Sequence, residues 1–129
     1  MDECLERIFE ELKGLGYDPY YADWPQGKKV VIKYRILTGK YANQTVLLGV
    51  SNPDGPYPEY PPHWIHISPL HDDGLGGPVE IYSSENEKGQ TCEWGALSRP
   101  PRDIWDQLPE KSMKSFLNEH VGRFCKALK

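Results

Sequence analysis

The stretch Tyr57-Pro58-Glu59-Tyr60-Pro61-Pro62 constrains the fold of this chain more than any other part of the sequence. Proline fixes its own φ angle, has no amide hydrogen to donate and pushes the residue before it towards extended conformations. Because three prolines stand within five residues, the stretch excludes a helix and predicts a rigid turn. Apolar and polar residues alternate just after it, from Trp64 to Ser68, so we expect the turn to lead into a strand.

Apolar periodicity predicts the elements on either side of this turn. Apolar residues recur at helical spacing in segments 5–15 and 113–128, which predicts a helix at each end of the chain. Alternating runs at 30–36 and 46–50 predict two adjacent antiparallel strands, and the glycine- and proline-rich segment 69–101 predicts a long functional loop. Together these elements predict an α+β fold, an antiparallel β-meander of about four strands with an N-terminal and a C-terminal helix packed on one face.

Composition and charge narrow the functional classes. The 129 residues, with 38% apolar side chains, fit one globular domain that covers residues 1–129. The formal net charge is −4 and no run of lysine and arginine is long enough to follow a phosphate backbone, so we expect no nucleic-acid partner. No apolar stretch is as long as a membrane span and the first residues are acidic rather than basic, so we expect no membrane partner and a cytoplasmic location.

The three cysteines differ in their surroundings. Cys4 and Cys125 fall on the apolar sides of the two predicted helices, which favours small buried hydrophobic side chains. Cys92 lies in the predicted loop among polar and small neighbours, where a thiol can reach a partner, and an incidental surface cysteine is the alternative. His63, His66 and His71 together with Cys92 suggest a zinc site, but His63 and His66 are three apart on a strand and face opposite sides of a sheet, so we expect no metal.

The proline stretch resembles the Tyr-Pro-x-x-Pro-Pro segment of ubiquitin-conjugating (E2) enzymes, and Asn86-x-x-Gly89-x-x-Cys92 is similar to the approach to their catalytic cysteine. A His-Pro-Asn tripeptide of that family is represented here by His71, followed by two aspartates. The chain is most similar to the divergent bacterial E2-like proteins, which occur beside E1-like proteins in modification systems associated with antiphage defence. The resemblance implies a UBC-like fold and three partners: an E1-like activating enzyme, a ubiquitin-like protein and an acceptor protein.

The resemblance also implies a reaction. The Cys92 thiolate attacks the thioester that joins a ubiquitin-like C-terminus to the activating enzyme, and an acceptor amine then attacks the new thioester on Cys92. No cofactor is needed. The oxyanion-supporting asparagine of the family aligns with Asp73, and an ionised carboxylate cannot donate a hydrogen bond. His71 is therefore the first choice for the donor, and Asp103 is placed near the incoming amine.

Each of these assignments has an alternative. The further candidate donors are Asn86, Ser98, Arg99 and the backbone amides of residues 93–95. His71 and the two aspartates after it can equally form a solvated turn, and Asp103 can cap a helix or turn. The second functional hypothesis is a noncatalytic E2-like or RWD-like docking module in which Cys92 has no chemical role.

Overall fold

The computed structural model describes residues 3–129, apart from the side chains of Arg102 and Asp103. The chain begins with one helix, continues through six strands and ends in short helical segments. The elements are α1 (Glu3–Gly14), β1 (Tyr20–Trp24), β2 (Gly27–Arg35), β3 (Thr45–Ser51), β4 (Trp64–Ser68), β5 (Glu80–Glu85), β6 (Thr91–Ser98), α2 (Arg102–Gln107), α3 (Met113–Ser115), a π-helical segment (Phe116–Val121) and α4 (Gly122–Lys126).

All six strands belong to one antiparallel sheet with the order β1-β2-β3-β4-β6-β5. The sheet curves into a half-barrel, so that its two edge strands, β1 and β5, contact each other. The Ser84 hydroxyl on β5 donates a hydrogen bond of 2.7 Å to the Asp23 carbonyl on β1. The rings of Trp24 and Tyr82 also meet across this gap, with centroids 6.4 Å apart. The half-barrel therefore has a concave face between β1 and β5 and an outer face.

Each face of the sheet carries its own apolar cluster. On the outer face Leu5, Ile8 and Leu12 of α1 pack with the C-terminal helical segments against alternate strand residues such as Val30. On the concave face Val31 belongs to a smaller cluster that is rich in aromatic rings. Successive side chains of a strand point to opposite faces, so the consecutive apolar residues of β2 supply both clusters.

The predicted fold, a UBC-like α+β meander of about four strands with an N-terminal and a C-terminal helix on one face, is wrong. The sheet has six strands and closes into a half-barrel, and most of the helical segments are short and lie at the C-terminal end. The segment that was predicted as a loop contributes β5 and β6. Its glycines were misleading, because Gly95 lies inside β6, where a Cβ atom would meet Pro78 Cγ at 2.9 Å. Glycine marks close packing there and not a turn.

The proline turn at residues 57–62 joins three parts of the fold. The Tyr57 hydroxyl donates to Glu11 of α1 (2.8 Å), and the Trp105 indole of α2 donates to the Pro58 carbonyl (3.0 Å). Glu11 also accepts a hydrogen bond from the Met113 backbone amide (2.9 Å). The strand that follows the turn is β4, which lies inside the sheet between β3 and β6. The turn thus holds the helices against the outer face.

Candidate functional site

Cys92 lies near the start of β6 and packs against the concave cluster. Its side chain is half-buried, and its sulfur lies 3.9 Å from the Gln90 carbonyl oxygen. The other two cysteines, Cys4 and Cys125, belong to the outer face. Burial raises the pKa of the Cys125 thiol to about 12, so that thiol stays protonated near neutral pH. Cys92 is therefore the cysteine that the fold places on the concave face.

A buried lysine lies beside Cys92. Cys92 is paired with Ser84 across the β5–β6 ladder, so the two side chains share a face. The Ser84 hydroxyl accepts a hydrogen bond from Lys29 Nζ at 3.1 Å, and the same ammonium donates to the Asp23 carbonyl at 2.8 Å. Cys92, Ser84 and Lys29 thus form one continuous group on the concave face, next to the place where β1 and β5 meet.

Aromatic rings complete the surroundings of Lys29, which is fully buried. Its Nζ lies 4.3 Å from the centroid of Trp94 and 4.9 Å from that of Tyr82, both within cation–π range. Burial lowers the pKa of Lys29 to about 8, although the nearby Asp23 and Cys92 oppose that shift. The ammonium is consequently charged at neutral pH and begins to lose its proton just above it.

A buried histidine, His66, extends the polar network along the concave face. Its Nδ1 lies 2.8 Å from the Tyr82 hydroxyl and its Nε2 lies 2.9 Å from the Ser51 hydroxyl. Burial, reinforced by the charge of Lys29, lowers the pKa of His66 to about 3. The imidazole is therefore neutral at physiological pH, and both of its nitrogens have hydroxyl partners.

The structure places His71 and Asp73 away from Cys92. The His71 ring packs edge-on against Tyr41 with centroids 4.7 Å apart, and Tyr41 contacts the outer core. Asp73 accepts two hydrogen bonds from Arg99, of 3.0 and 2.9 Å, which hold the pKa of Asp73 below its usual range. Because Cys92 packs on the concave cluster, the sheet separates it from His71.

Asn86 forms the turn between β5 and β6. Its side-chain oxygen accepts hydrogen bonds from the backbone amides of Lys88 and Gln90, both at 2.9 Å, and its amide nitrogen donates to Gln90 Oε1 at 3.1 Å. Gly89 in the same turn has a φ of 75°, which suits glycine. The Asn86-x-x-Gly89 spacing thus serves to form the hairpin turn between β5 and β6. Asp103 belongs to α2, and its side chain lies outside the described residues.

Lys29 and Tyr82 were not predicted from the sequence as parts of a site, and His66 was considered only as a zinc ligand. For Lys29 the signal in the sequence would have been the alternation of side chains along a strand. Lys29 and Val31 are two apart on β2 and therefore share the concave face. The alternation cannot be recognised in the sequence, because Val30, Val31 and Ile32 are all apolar and buried, so no polar residue among them marks a solvent-facing side of the strand. The contact between β1 and β5 that encloses Lys29 depends on the curvature of the whole sheet.

Two open cavities are lined by neighbours of Cys92, although Cys92 itself lines neither of them. One, of about 410 Å³, follows the gap between the edge strands and is lined by residues 21–23, 83–86 and Thr91, the neighbour of Cys92 in sequence. The other, of about 220 Å³, is lined by Tyr20, Lys33 and Glu87 among others. β1 and β5 each lack a strand partner on the side that faces the gap.

No family model, curated protein or solved structure matches the chain. Within residues 3–129, no group of three histidine, cysteine, aspartate or glutamate side chains is arranged to hold a metal ion. None of the described helices is long and apolar enough to cross a bilayer.

Proposed function

We propose that this chain accepts a ubiquitin-like protein from an E1-like enzyme as a thioester on Cys92 and passes it to an acceptor amine. The observation that supports this proposal best is the position of Cys92, a half-exposed thiol beside the Lys29 ammonium and next to the gap between β1 and β5. The proposal depends on the chemistry of that thiol. It does not depend on a UBC-like fold, which the chain does not have.

The reaction consists of two acyl transfers. The Cys92 thiolate attacks the carbonyl carbon of the activated thioester, a new carbon–sulfur bond forms, and the thiolate of the activating enzyme leaves. An acceptor amine then attacks the same carbonyl carbon, an amide forms, the amine loses a proton and the Cys92 thiolate is released. Neither step changes an oxidation state or requires a cofactor.

Lys29 gives this site a source of positive charge. Each transfer passes through a tetrahedral oxyanion, and a fixed charge in a water-poor site stabilises such an intermediate more than it would in water. The Lys29 ammonium is held by Asp23 and Ser84 and does not need to reorganise during the reaction. His71, the first choice for the donor in this step, and Asp73, which aligns with the oxyanion-supporting asparagine of the family, contact other parts of the structure.

The edge strands offer a way to hold the modifier. The C-terminus of a ubiquitin-like protein must reach the thiol in an extended form, and an extended peptide can add to a free sheet edge through backbone hydrogen bonds. β1 and β5 have no strand partner on the sides that flank the 410 Å³ cavity, and the tail would bind there beside the point where Ser84 joins the two strands through the Asp23 carbonyl. This binding mode tolerates many tail sequences, because backbone groups supply most of the contacts.

A docking module remains the second candidate. It is favoured by the separation of Cys92 from His71 and Asp73, since helper groups expected in an E2-like enzyme do not meet at the thiol. In that function the chain would bind its partners without forming a covalent bond. The two candidates differ in whether a thioester forms.

The test combines the protein with ATP and with the E1-like enzyme and the ubiquitin-like protein of its own genome. We expect a conjugate that survives denaturant and is released by a thiol reductant. Cys92→Ala should abolish it, whereas Cys4→Ala, a matched control on α1, should load normally. Lys29→Met should fold and should load more slowly, because the charge near the oxyanion is lost. A conjugate that still forms with Cys92→Ala would refute the proposal, and the absence of any conjugate with wild type would favour the docking module.

A further inference from the structure

A second group of reactive side chains lies at the opposite end of β6 from Cys92. His63 Nδ1 lies 3.0 Å from Asp54 Oδ2, and His63 Nε2 lies 2.6 Å from the Ser98 hydroxyl oxygen. Cys92 and Ser98 are six residues apart on one strand, which separates them by about 20 Å. This acid–histidine–serine group is therefore independent of the proposed thioester site.

Backbone contacts fix the three residues relative to one another. Ser98 is the ladder partner of Trp64, the residue after His63. The Arg99 backbone amide donates to the His63 carbonyl at 3.1 Å, which ties the end of β6 to the start of β4. Next to Asp54, residues 53 and 62 form an isolated bridge that brings the Asp54 loop to the same end of the sheet. The three residues thus come from three segments, the Asp54 loop, the start of β4 and the end of β6, which meet at one end of the sheet.

The hydrogen bonds match what nucleophilic catalysis needs. A neutral imidazole that donates its Nδ1–H to the Asp54 carboxylate presents Nε2 as an acceptor for the Ser98 hydroxyl proton. A serine that is hydrogen-bonded to a histidine, which is in turn oriented by a carboxylate, is an activated nucleophile whatever the order of the residues in the chain. Ser98 and His63 are both partly exposed, so a substrate can approach them.

An open groove of about 710 Å³ is lined by His63 and by Pro100, which is two residues from Ser98, although Ser98 itself does not line it. Its lining includes three carboxylates, Asp54, Glu59 and Asp106, and the half-exposed ring of Tyr60. Carboxylates repel anionic ligands, while the aromatic ring offers an apolar contact. The groove is consequently suited to neutral or cationic substrates that carry an apolar group.

We propose that Ser98 and His63, with Asp54 as a positioning residue, form a nucleophilic centre that hydrolyses neutral or cationic carboxylic esters. Ser98 Oγ attacks the ester carbonyl carbon while His63 takes the hydroxyl proton. The alcohol leaves with that proton, and an acyl group remains on Ser98. Water, deprotonated by His63, then attacks the acyl group, which releases the acid and restores the serine.

The first test uses a fluorophosphonate probe and peptide mass spectrometry, with the protein in a Cys92→Ala background. We expect the probe to label Ser98, and we expect Ser98→Ala to lose the label. Ser115→Ala is the matched control, because this serine is also partly exposed and lies on the C-terminal helical segment, and it should label like the parent. Failure to label Ser98 in a folded protein would overturn the proposal.

The second test separates catalysis from a purely structural hydrogen bond. His63→Gln should slow both labelling and hydrolysis of p-nitrophenyl acetate by about a hundredfold, since general-base catalysis typically contributes at least that much. Asp54→Asn should lower kcat and leave KM nearly unchanged, because His63 loses the carboxylate that orients its ring, and Asp54→Glu should restore part of kcat. Equal rates in the wild type and His63→Gln, with both folded, would show that His63 and Ser98 serve only to join β4 and β6.

Discussion

The two faces of the half-barrel bury very different side chains. The outer core is almost entirely aliphatic and aromatic, and its stability comes from the removal of apolar surface from water. The concave face buries Lys29 and His66 among its aromatic rings, together with the hydroxyl groups of Ser51, Tyr82 and Ser84. A buried charge lowers stability unless it is well paired, so the concave face adds less stability per residue. The outer face therefore contributes most of the stability of the fold, and the concave face is where the proposed reaction would take place.

The largest difference should appear when one residue of each face is replaced. Leu12→Ala removes a fully buried side chain from the outer core and should lower the free energy of unfolding by about 3 kcal/mol. Lys29→Met keeps much of the volume, and Ser84 still donates to the Asp23 carbonyl, so its effect should stay within about 1 kcal/mol. Urea denaturation measures both. Equal losses would contradict the contrast between the faces.

The second largest effect should be a rise in the free energy of unfolding with pH, caused by the lowered pKa of Lys29. Its pKa is about 8 in the folded chain and about 10.4 in the unfolded chain, so between these values the unfolded state holds the extra proton. Stability attributable to Lys29 should therefore rise between pH 8 and pH 9.5, by about 2 kcal/mol relative to Lys29→Met. Comparison with that variant removes the contribution of other groups that titrate there. A parallel pH dependence of the two proteins would show that Lys29 titrates normally.

His66 should make the fold sensitive to acid. The pKa of His66 is about 3 in the folded chain and about 6.5 in the unfolded chain. The contribution of neutral His66 to the free energy of unfolding is therefore complete above pH 6.5 and is lost as the pH falls. By pH 5 the loss should be about 2 kcal/mol. His66→Gln, which can keep hydrogen bonds to Ser51 and Tyr82, should reduce the slope of stability against pH. His120→Gln should also reduce the slope of stability against pH, because burial lowers the pKa of His120 as well.

The smallest expected effect concerns the hairpin before Cys92. Gly89 has a φ of 75°, so Gly89→Ala should cost about 1 kcal/mol through backbone strain, although nothing lies within 4 Å of the added Cβ. Gly14→Ala, a matched control in α1 with equal space around its Cβ, should be neutral or stabilising. Thermal unfolding measures the difference. If Gly89→Ala left stability unchanged, the hairpin turn would not fix the start of β6.

Local patterns predicted part of the fold. The alternating runs at 30–36, 46–50 and 64–68 lie in and around β2, β3 and β4, and α1 covers most of the first helical stripe. β5 and β6 were not predicted, because glycine and proline were interpreted as loop signals although Gly95 packs closely inside a strand. Closure of the half-barrel depends on contacts such as Ser84 to Asp23, between residues 61 apart in the sequence, which periodicity does not reveal.

The candidate site shows the same limit. Cys92 could be singled out because its neighbours in the sequence are polar, whereas both other cysteines lie on apolar helix faces. Lys29 could not, since a lysine beside another lysine at the start of a strand is typical of a solvated end. Its burial depends on the aromatic rings of β5 and β6, which are distant in the sequence. The acid–histidine–serine group was likewise invisible before the segments were brought together.

Peptide mass spectrometry of the loaded protein tests the central claim most directly. After reaction with ATP, the E1-like enzyme and the ubiquitin-like protein, the sample is digested without reductant and the modified residue is mapped. The account predicts that the C-terminal remnant of the modifier is attached to Cys92 and that Cys4 and Cys125 are unmodified. A remnant on another residue, or an unmodified Cys92 in a sample where the activating enzyme itself is loaded, would contradict the claim that the concave face carries the modifier.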